Sequence, residues 1–392
     1  MSPRHKMCVT LYSILSQAQE QFPDFSDIIL SAGNPVQVET DGELRQLKPG
    51  SFPNLLPFHL ELLASTLLGQ RRHLVRGLLV SGSCDLAFQL PDKQRFRVNI
   101  FRQQGNLAIV MRKLATTVPK AATLGLPPAF MRMAEEKDGL VLVTGATGSG
   151  KSTSLAALVD TINATSAKHI LTLEDPIEYL HPPKKGIVNQ RELGTDFDSF
   201  ATGLRAALRQ SPKVILVGEI RDRDTLQIAL EAAETGHLVL GTLHTTDCGQ
   251  AIHRILGLFD FTEEKQVRAR LADSLKCVLS QRLMSQKDGK RVAAFELLLQ
   301  SLRTQEIILH GESDEESFHD VQEQGAVYGM CTFEQSLIQL FRQGRISEKT
   351  AMFNASDKST LRQALDRIKN EQGQTATDNQ LEIDADYGQA PS

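Results

Sequence analysis

The sequence predicts an α/β protein, in which a smaller α+β N-terminal domain is followed by a larger domain built on a parallel sheet. Two observations lead to this fold class. Short apolar runs alternate with helical segments in the middle of the chain, which is typical of strands joined by crossover helices; they cover 139–144, 169–173, 214–218 and 237–241. Before them, paired strand-like runs flank turn residues, which is typical of antiparallel hairpins.

The N-terminal domain is predicted to span residues 1–112. Apolar residues recur at helical spacing over 11–22 and again over 57–75, which predicts two helices. Strand-like runs predict β-structure around them, with one hairpin turning at Asp41-Gly42 and another at 91–93; these runs are 27–30, 36–39, 44–47, 86–90, 95–101 and 108–111.

The rest of the chain divides by composition. Residues 113–138 contain Pro119, Pro127 and Pro128 and are interpreted as a linker that ends in a short helix. The predicted second domain covers 139–370, and its part from residue 262 onward has a mainly helical pattern. Residues 371–392 carry five acidic residues and no Lys or Arg, so we interpret them as a disordered acidic tail.

A glycine-rich stretch follows the first apolar run and fits the phosphate-binding P-loop pattern G-x-x-x-x-G-K-[ST]. It consists of Gly145, Ala146, Thr147, Gly148, Ser149, Gly150, Lys151, Ser152 and Thr153. A strand before the loop and a helix after it place backbone N–H groups and a helix N-terminus around a phosphate. Lys151 is expected to reach the β- and γ-phosphates, and the Ser152 hydroxyl is expected to bind Mg²⁺.

Carboxylates follow two of the other apolar runs. Glu174 ends the run 169–173, and Glu219 ends the run 214–218. Because ligands of α/β sheets bind beyond the carboxyl ends of the strands, both side chains are expected near the P-loop. One carboxylate would hold the Mg²⁺ shell, and the other would orient the attacking water.

Histidines lie at both ends of the fourth apolar run. His237 is at its entrance, where a structural role is the more ordinary interpretation, and His244 is at its exit. From that position, His244 could sense a γ-phosphate by hydrogen bonding. Arginines are frequent near the predicted site, but the sequence assigns none of them as a residue that acts on a neighbouring subunit; they are Arg95, Arg97, Arg102, Arg112, Arg191, Arg205, Arg209, Arg221 and Arg223.

Composition excludes several classes. The net charge is −4, which provides no basic field for nucleic acid. No apolar run approaches the roughly 20 residues of a membrane span, and no secretory signal is evident. The cysteines are scattered, with no C-x-x-C pair, so we expect reduced thiols in a cytosolic protein and no zinc site; they are Cys8, Cys84, Cys248, Cys277 and Cys331.

Four blocks in this order resemble the secretion-type ATPases of type IV pili, type II secretion and related systems. They are Gly145–Thr153, Leu173–Tyr179, Val214–Asp222 and Gly236–Thr245. Within that superfamily, the chain is most similar to the pilus retraction group of PilT and PilU. Further stretches are similar to that group's sequence, namely 95–99, 188–192, 232–237 and 329–347.

The resemblance implies a PAS-like N-terminal domain followed by a RecA-like ATPase domain, assembled as a homohexamer with ATP and Mg²⁺ at the domain cleft. It implies Glu174 as the general base, Glu219 as the carboxylate near Mg²⁺, and His237 and His244 as the histidine pair of the fourth block. The expected work is retraction of type IV pili through an inner-membrane platform protein, by a cytoplasmic ring peripheral to that membrane.

Departures from the group's pattern keep alternatives open. Ala146 replaces a usual Pro, Gln210-Ser211 replaces a usual Glu-Asp, and 301–304 poorly matches the retraction motif Ala-Ile-Arg-Asn. A paralogous retraction ATPase is therefore a possible partner. The alternative functions are a related ATPase of type IVB, conjugative or type II-like secretion, a nucleic-acid motor and a non-catalytic scaffold. The intact Lys151, Ser152, Glu174 and Glu219 argue against the scaffold.

Overall fold

The structure is a computed structural model. It describes residues 3–40, 42–48, 54–90, 94–114, 117–313 and 316–371. The predicted turn residue Asp41, the predicted turn 91–93 and all but the first residue of the predicted acidic tail lie outside these ranges.

An antiparallel sheet of six strands occupies the N-terminal third of the described chain. Its order is β3-β2-β1-β6-β5-β4, and its register pairs Ile28 with Val38 and Val98 with Met111. The elements here are α1 (Pro3–Gln21), β1 (Asp27–Ser31), β2 (Gln37–Thr40), β3 (Glu43–Gln46), α2 (Pro57–Leu68), α3 (Arg72–Ser81), β4 (Ser83–Gln89), β5 (Arg95–Gln103) and β6 (Asn106–Lys113). The predicted strands of this region and their pairing into hairpins are therefore confirmed.

The predicted single helix over 57–75 is wrong, because the structure has two helices there. Helix α2 ends at Leu68, and the next residue, Gly69, has a positive φ of 59° that residues other than glycine rarely adopt. The leucines that gave the helical pattern, among them Leu60, Leu63 and Leu67, all lie on the buried face of α2. The pattern therefore located α2 correctly but did not indicate where it ends.

A seven-stranded sheet forms the centre of the rest of the described chain, in the order β13-β12-β7-β11-β10-β8-β9. All neighbours are parallel except β12 and β13. Its strands are β7 (Gly139–Thr144), β8 (His169–Glu174), β9 (Ile187–Glu192), β10 (Val214–Val217), β11 (Leu238–Leu243), β12 (Leu275–Ser285) and β13 (Arg291–Leu299). The four apolar runs predicted as strands are β7, β8, β10 and β11.

Helices precede this sheet, connect its strands and follow it. They are α4 (Ala121–Leu124), α5 (Pro128–Met131), α6 (Lys151–Thr165), α7 (Phe200–Ala207), α8 (Arg223–Glu234), α9 (Cys248–Leu256), α10 (Phe261–Ser274), α11 (Leu302–His310), α12 (Phe318–Gln324), α13 (Phe333–Arg342), α14 (Glu348–Asn354) and α15 (Lys358–Glu371). Single 3₁₀ turns cover Arg132–Glu135 and Gly325–Tyr328. The four-residue helix α5 lies in the segment interpreted as a linker.

The expectation of a mainly helical chain from residue 262 onward missed a long strand pair. Strands β12 and β13 pair antiparallel from Cys277–Leu299 to Ser285–Arg291, and β12 continues the parallel sheet beside β7. Both faces of β12 are covered by other elements, so its apolar residues do not alternate with polar ones as they do in a half-exposed strand. Without that alternation, the segment cannot be distinguished from a buried helix by periodicity.

Three hydrophobic cores hold these elements. The first packs α1 and α2 on the antiparallel sheet around residues such as Phe96, and the second surrounds the parallel sheet. The third joins the end of the β12–β13 pair to α13, α14 and α15 around Phe333 and Leu337. Among the described residues, no helix is both long enough and apolar enough to cross a membrane. Cys84, Cys248, Cys277 and Cys331 are free thiols.

A buried ion pair joins the two sheets. The Nη2 atom of Arg95 on β5 lies 2.8 Å from Oε2 of Glu192 on β9, and each side chain is 10% exposed. The same carboxylate oxygen accepts a hydrogen bond from the backbone N–H of Ile177 at 3.2 Å. A buried charge is tolerated where it is paired and hydrogen-bonded, so this contact fixes β5 beside the loop that follows β8.

Candidate functional site

The P-loop connects the buried strand β7 to helix α6, as the sequence predicts. Three of its glycines have positive φ, at 145° for Gly145, 78° for Gly148 and 93° for Gly150. Side chains other than glycine rarely adopt such angles, so the loop conformation depends on these glycines. The first N–H groups of α6 have no partners within the helix and are available to an anion at this end.

Lys151 begins α6 and folds back across the loop. Its Nζ donates hydrogen bonds to the backbone carbonyls of Gly145 at 2.8 Å and Ala146 at 3.0 Å. Burial lowers the pKa of Lys151, while the nearby charges of Glu219 and Glu178 act in the opposite direction. The lysine therefore brings a cation close to two carboxylates at the start of the helix.

Gln281 of β12 supports the loop from behind, and sequence reasoning did not identify it. Its Nε2 donates to the carbonyl of Ser149, and its Oε1 accepts from the Ser154 hydroxyl at 2.8 Å. Little in the sequence indicates this role, because Gln281 is one of several polar residues in β12 and the segment's pattern predicts a helix. Gln281 is buried, so its amide depends on these two partners.

The substitution Gly145→Ala is expected to distort the P-loop. An added Cβ would lie 2.5 Å from the Gln281 carbonyl oxygen and 2.7 Å from Ser149 Oγ, at a φ of 145°. The backbone carbonyl cannot turn away without disrupting β12, so we expect nucleotide affinity to fall at least ~10-fold, an effect of about 1.4 kcal/mol. Titration with a fluorescent ATP analogue measures this loss.

Gly148→Ala is the matched control for that variant. Gly148 also has a positive φ, but nothing lies within 4 Å of an added Cβ. Its cost should be limited to backbone strain, without a clash, so its loss of nucleotide affinity should stay below that of Gly145→Ala. If Gly148→Ala weakened nucleotide binding as much as Gly145→Ala, the close contact with β12 would not be the cause.

Glu174 ends β8, and two side chains donate to the same oxygen of its carboxylate. The Thr172 hydroxyl lies 2.6 Å from Oε1, and Nε2 of Gln190 on β9 lies 3.1 Å from it. Burial raises the pKa of Glu174 to about 7; the hydrogen bonds from Thr172 and Gln190 lower it, and the nearby charge of Glu178 raises it. A carboxyl group with this pKa can both accept and release a proton near neutral pH.

Glu219 follows β10, and the side chains of His244 and Arg221 contact its carboxylate. Nε2 of His244 lies 3.0 Å from Oε1 of Glu219, and Nε of Arg221 contacts the same oxygen. Desolvation alone would raise the pKa of Glu219, but the hydrogen bonds and charges of Arg221 and His244 outweigh it and lower the pKa. Glu219 is therefore held as a carboxylate.

A cavity of about 360 Å³ brings most of the predicted residues together. Of the sequence-predicted residues, its walls include Thr147, Gly148, Gly150, Lys151, Ser152, Thr153, Glu174, Glu219 and His244. Arg291 and Leu283 also line it; they come from the β12–β13 pair, and the sequence did not indicate them. The prediction that the strand ends converge on the P-loop is supported by this arrangement.

Three further polar residues in or near the predicted blocks lie elsewhere or have structural partners. His237 is at the opposite end of β11 from His244 and contacts the Ala232 carbonyl at 3.0 Å. Asp222 caps α8 through the N–H of Thr225 at 2.8 Å. Arg191 donates to the Asp196 carbonyl. These three side chains have local roles in the fold and do not line the cavity.

The fold and the loop together define a P-loop protein with a RecA-like sheet. The sequence matches the family described as Type II/IV secretion system protein over residues 60–382. That match covers most of the chain, so the chain belongs to this family.

The relatives include the type IV pilus retraction ATPase PilT of Pseudomonas aeruginosa, which is 40% identical over 83% of this chain and 93% of its own length. A twitching motility protein of Neisseria gonorrhoeae is 45% identical over 71% of this chain and 74% of its own length. The crystal structure of the pilus retraction motor PilT with bound ADP aligns with a TM-score of 0.80 and 42% identity, covering 89% of this chain and 98% of that one. The predicted fold class, a PAS-like α+β domain followed by a RecA-like ATPase domain, is thereby confirmed.

Proposed function

We propose that this protein is an ATP hydrolase that uses the energy of ATP hydrolysis to retract type IV pili and so drives twitching motility. The observation that carries the proposal is the convergence of the P-loop lysine and two strand-end carboxylates, Glu174 and Glu219, on one cavity. The similarity to PilT extends over most of both chains, so it includes the site and the N-terminal sheet.

The residues at the P-loop fit a nucleotide phosphate. The loop has no room for a Cβ at Gly145. The buried Ser149 Oγ has no hydrogen-bond partner among the described residues, although a buried hydroxyl ordinarily has one. A phosphate oxygen would provide that partner, and the Lys151 ammonium could exchange its loop carbonyls for the β- and γ-phosphates. ATP is therefore the proposed ligand.

Mg²⁺ is the proposed second cofactor. It is usually held by one or two protein oxygens together with phosphate oxygens and water, and the exposed Ser152 hydroxyl and the Glu219 carboxylate are of that type. Among the described residues, no group of three His, Cys, Asp or Glu side chains could hold a metal. Phosphate oxygens of the nucleotide would provide the remaining ligands. When bound, Mg²⁺ would neutralise negative charge on the phosphates.

Each site residue then has a defined task. Glu174 accepts the proton of the water that attacks the γ-phosphate, and the products are ADP and phosphate. Lys151 and the P-loop N–H groups stabilise the charge on the phosphate oxygens. His244 directly follows β11, and its ring lies 3.0 Å from the Glu219 carboxylate. From this position the ring would hydrogen-bond to the γ-phosphate.

The assembly and its partners follow from the family resemblance. We propose a homohexamer that acts on an inner-membrane pilus platform protein, cytoplasmic and peripheral to that membrane, with a paralogous retraction ATPase as a further partner. A subunit would divide into the N-terminal domain 1–112, the linker 113–138 and the ATPase domain 139–370. The separate sheets and cores support the two domains, while Leu126, Ala129 and Phe130 of the linker pack in the core of the parallel sheet. An arginine from a neighbouring subunit would complete the site.

A deletion strain tests the function directly. It would be complemented with the wild-type gene or with Glu219→Ala, and cells would be scored for surface pili and twitching. We expect excess pili and lost movement, restored only by the wild type. Normal pili and movement in the deletion strain would contradict retraction, and lost movement without excess pili would indicate an accessory motor.

A second candidate is a related ATPase of a secretion system. The family description names type II and type IV secretion, and the X-ray structure of the Legionella pneumophila ATPase DotB aligns with a TM-score of 0.77 and 30% identity over 90% of this chain and 95% of that one. The site chemistry is the same in both candidates. Loss of protein secretion with normal pili in the deletion strain would favour this alternative.

A further inference from the structure

Gln190 lies on β9, the strand that pairs with β8 and its last residue, Glu174. In the parallel pairing of β8 and β9, Gln190 is opposite Thr172, and Thr172 and Glu174 lie on the same face of β8 because side chains alternate along a strand. Gln190 is therefore the residue of the neighbouring strand that is placed to reach the Glu174 carboxylate. Its own strand forms one edge of the sheet.

Both ends of the Gln190 amide are hydrogen-bonded. Its Nε2 donates to Glu174 Oε1 at 3.1 Å and to the Tyr179 carbonyl at 2.8 Å. Its Oε1 accepts from the backbone N–H of His181 at 3.0 Å. Because two acceptors face one end and a donor faces the other, the orientation of the amide is fixed by its partners.

The loop that Gln190 holds also reaches the P-loop helix. Tyr179 lies in this loop, and its hydroxyl is 3.0 Å from the hydroxyl of Thr153 on α6. Gln190 thus connects, through one amide group, the carboxylate of Glu174 and the loop that rests against the start of α6. A residue in this position can set where the carboxylate points relative to the phosphate site.

We propose that Gln190 is a positioning residue that orients Glu174 for proton transfer and couples it to the loop over the P-loop helix. This inference rests on the proposed function, since it assumes that Glu174 is the general base. It assigns a task to a residue that itself does not touch the reacting atoms.

The hydrogen bond also has an electrostatic consequence. Burial disfavours the ionised form of Glu174 and raises its pKa, whereas donation from Thr172 and Gln190 favours the ionised form. Glu178, on the loop after β8, acts in both directions, since its charge raises the pKa of Glu174 and its backbone hydrogen bond lowers it. Lys151, Glu219 and His181 line the same cavity. Removal of the Gln190 donor should therefore leave a base that ionises only at higher pH.

The test uses Gln190→Met and Gln190→Glu in the full-length protein. Met has a similar length and no hydrogen bonds, whereas Glu keeps an acceptor for the His181 N–H but places a second carboxyl beside Glu174. We expect the single-turnover rate of ATP hydrolysis to fall about 10-fold for Met at neutral pH, and its pH midpoint to rise by about one unit. For Gln190→Glu, the pH midpoint of the hydrolysis rate should rise by at least as much.

Asn189→Leu is the matched control on the same strand. Its side-chain oxygen contacts Nε2 of the His169 ring at 2.9 Å, away from Glu174, so its midpoint should equal that of the wild type. Reduced rates with unchanged midpoints in both Gln190 variants would overturn the proposal and show a purely structural residue. If Glu174→Gln itself kept wild-type activity, the assignment of the base would fail first, and the positioning role would fail with it.

Discussion

Glu174→Gln is expected to reduce the rate of ATP hydrolysis by about 10²–10⁴-fold, the range that a positioned general base contributes. The amide keeps the size of the side chain and can still contact Thr172, so nucleotide binding should change little. The measurement is kcat and KM for ATP in the presence of Mg²⁺. Loss of kcat with an unchanged KM is the expected result.

The pH dependence of ATP hydrolysis provides a second test of Glu174 as the general base. The pKa of Glu174 is raised to about 7 by burial, and a general base must be ionised to act. Activity should therefore rise with pH through about 7 and fall below it, and the Gln variant should lose this dependence. Glu231→Gln, an exposed carboxyl on α8, serves as the control and should match the wild type. A wild-type pH profile in Glu174→Gln would exclude the carboxyl as the base.

Arg95→Met is expected to cost about 3–5 kcal/mol of the free energy of unfolding, because it leaves the Glu192 carboxylate buried without its partner. The pair lies at 2.8 Å with both side chains 10% exposed, so solvent cannot replace the arginine easily. Urea denaturation followed by circular dichroism measures the loss. Limited proteolysis should also cut the variant faster near the contact between the sheets.

Arg97→Met is the comparison on the same strand. Its pair with Asp85 spans 3.8 Å, with side chains 49% and 55% exposed, so removing it should cost less than about 1 kcal/mol. The double variant Arg95→Met/Glu192→Leu should recover much of the lost stability, since no unpaired charge remains. Equal losses in Arg95→Met and Arg97→Met would contradict the importance of burial at the Arg95 pair.

Much of the site could be predicted because local rules determine it. The P-loop glycines, Lys151 and the carboxylates after two buried strands follow from the strand–loop–helix pattern and from the position of strand ends in a parallel sheet. The four central strands were found because they are short, apolar and separated by helices. For these residues, the local sequence pattern is enough to predict the position that the fold gives them.

The supporting residues could not be predicted, because their partners are distant in sequence. Gln281 lies 132 residues from Ser149, and Gln190 lies 16 residues from Glu174 on a polar edge strand. Nothing in their local sequence indicates these contacts, which depend on strand order and register. Strand β12 was missed for a related reason, since its burial on both faces removes the alternation that identifies strands.

Strand β12 has a further consequence for the molecule as a motor. Gln281 touches the P-loop, while the next residue, Arg282, donates to the Asn354 carbonyl and the Ser356 hydroxyl and lies 3.8 Å above the ring of Phe333. The residue that contacts the P-loop, Gln281, is therefore directly bonded in the chain to Arg282, the residue that contacts the C-terminal helices. A displacement of the P-loop would therefore be passed to the C-terminal helices through two adjacent residues of one strand.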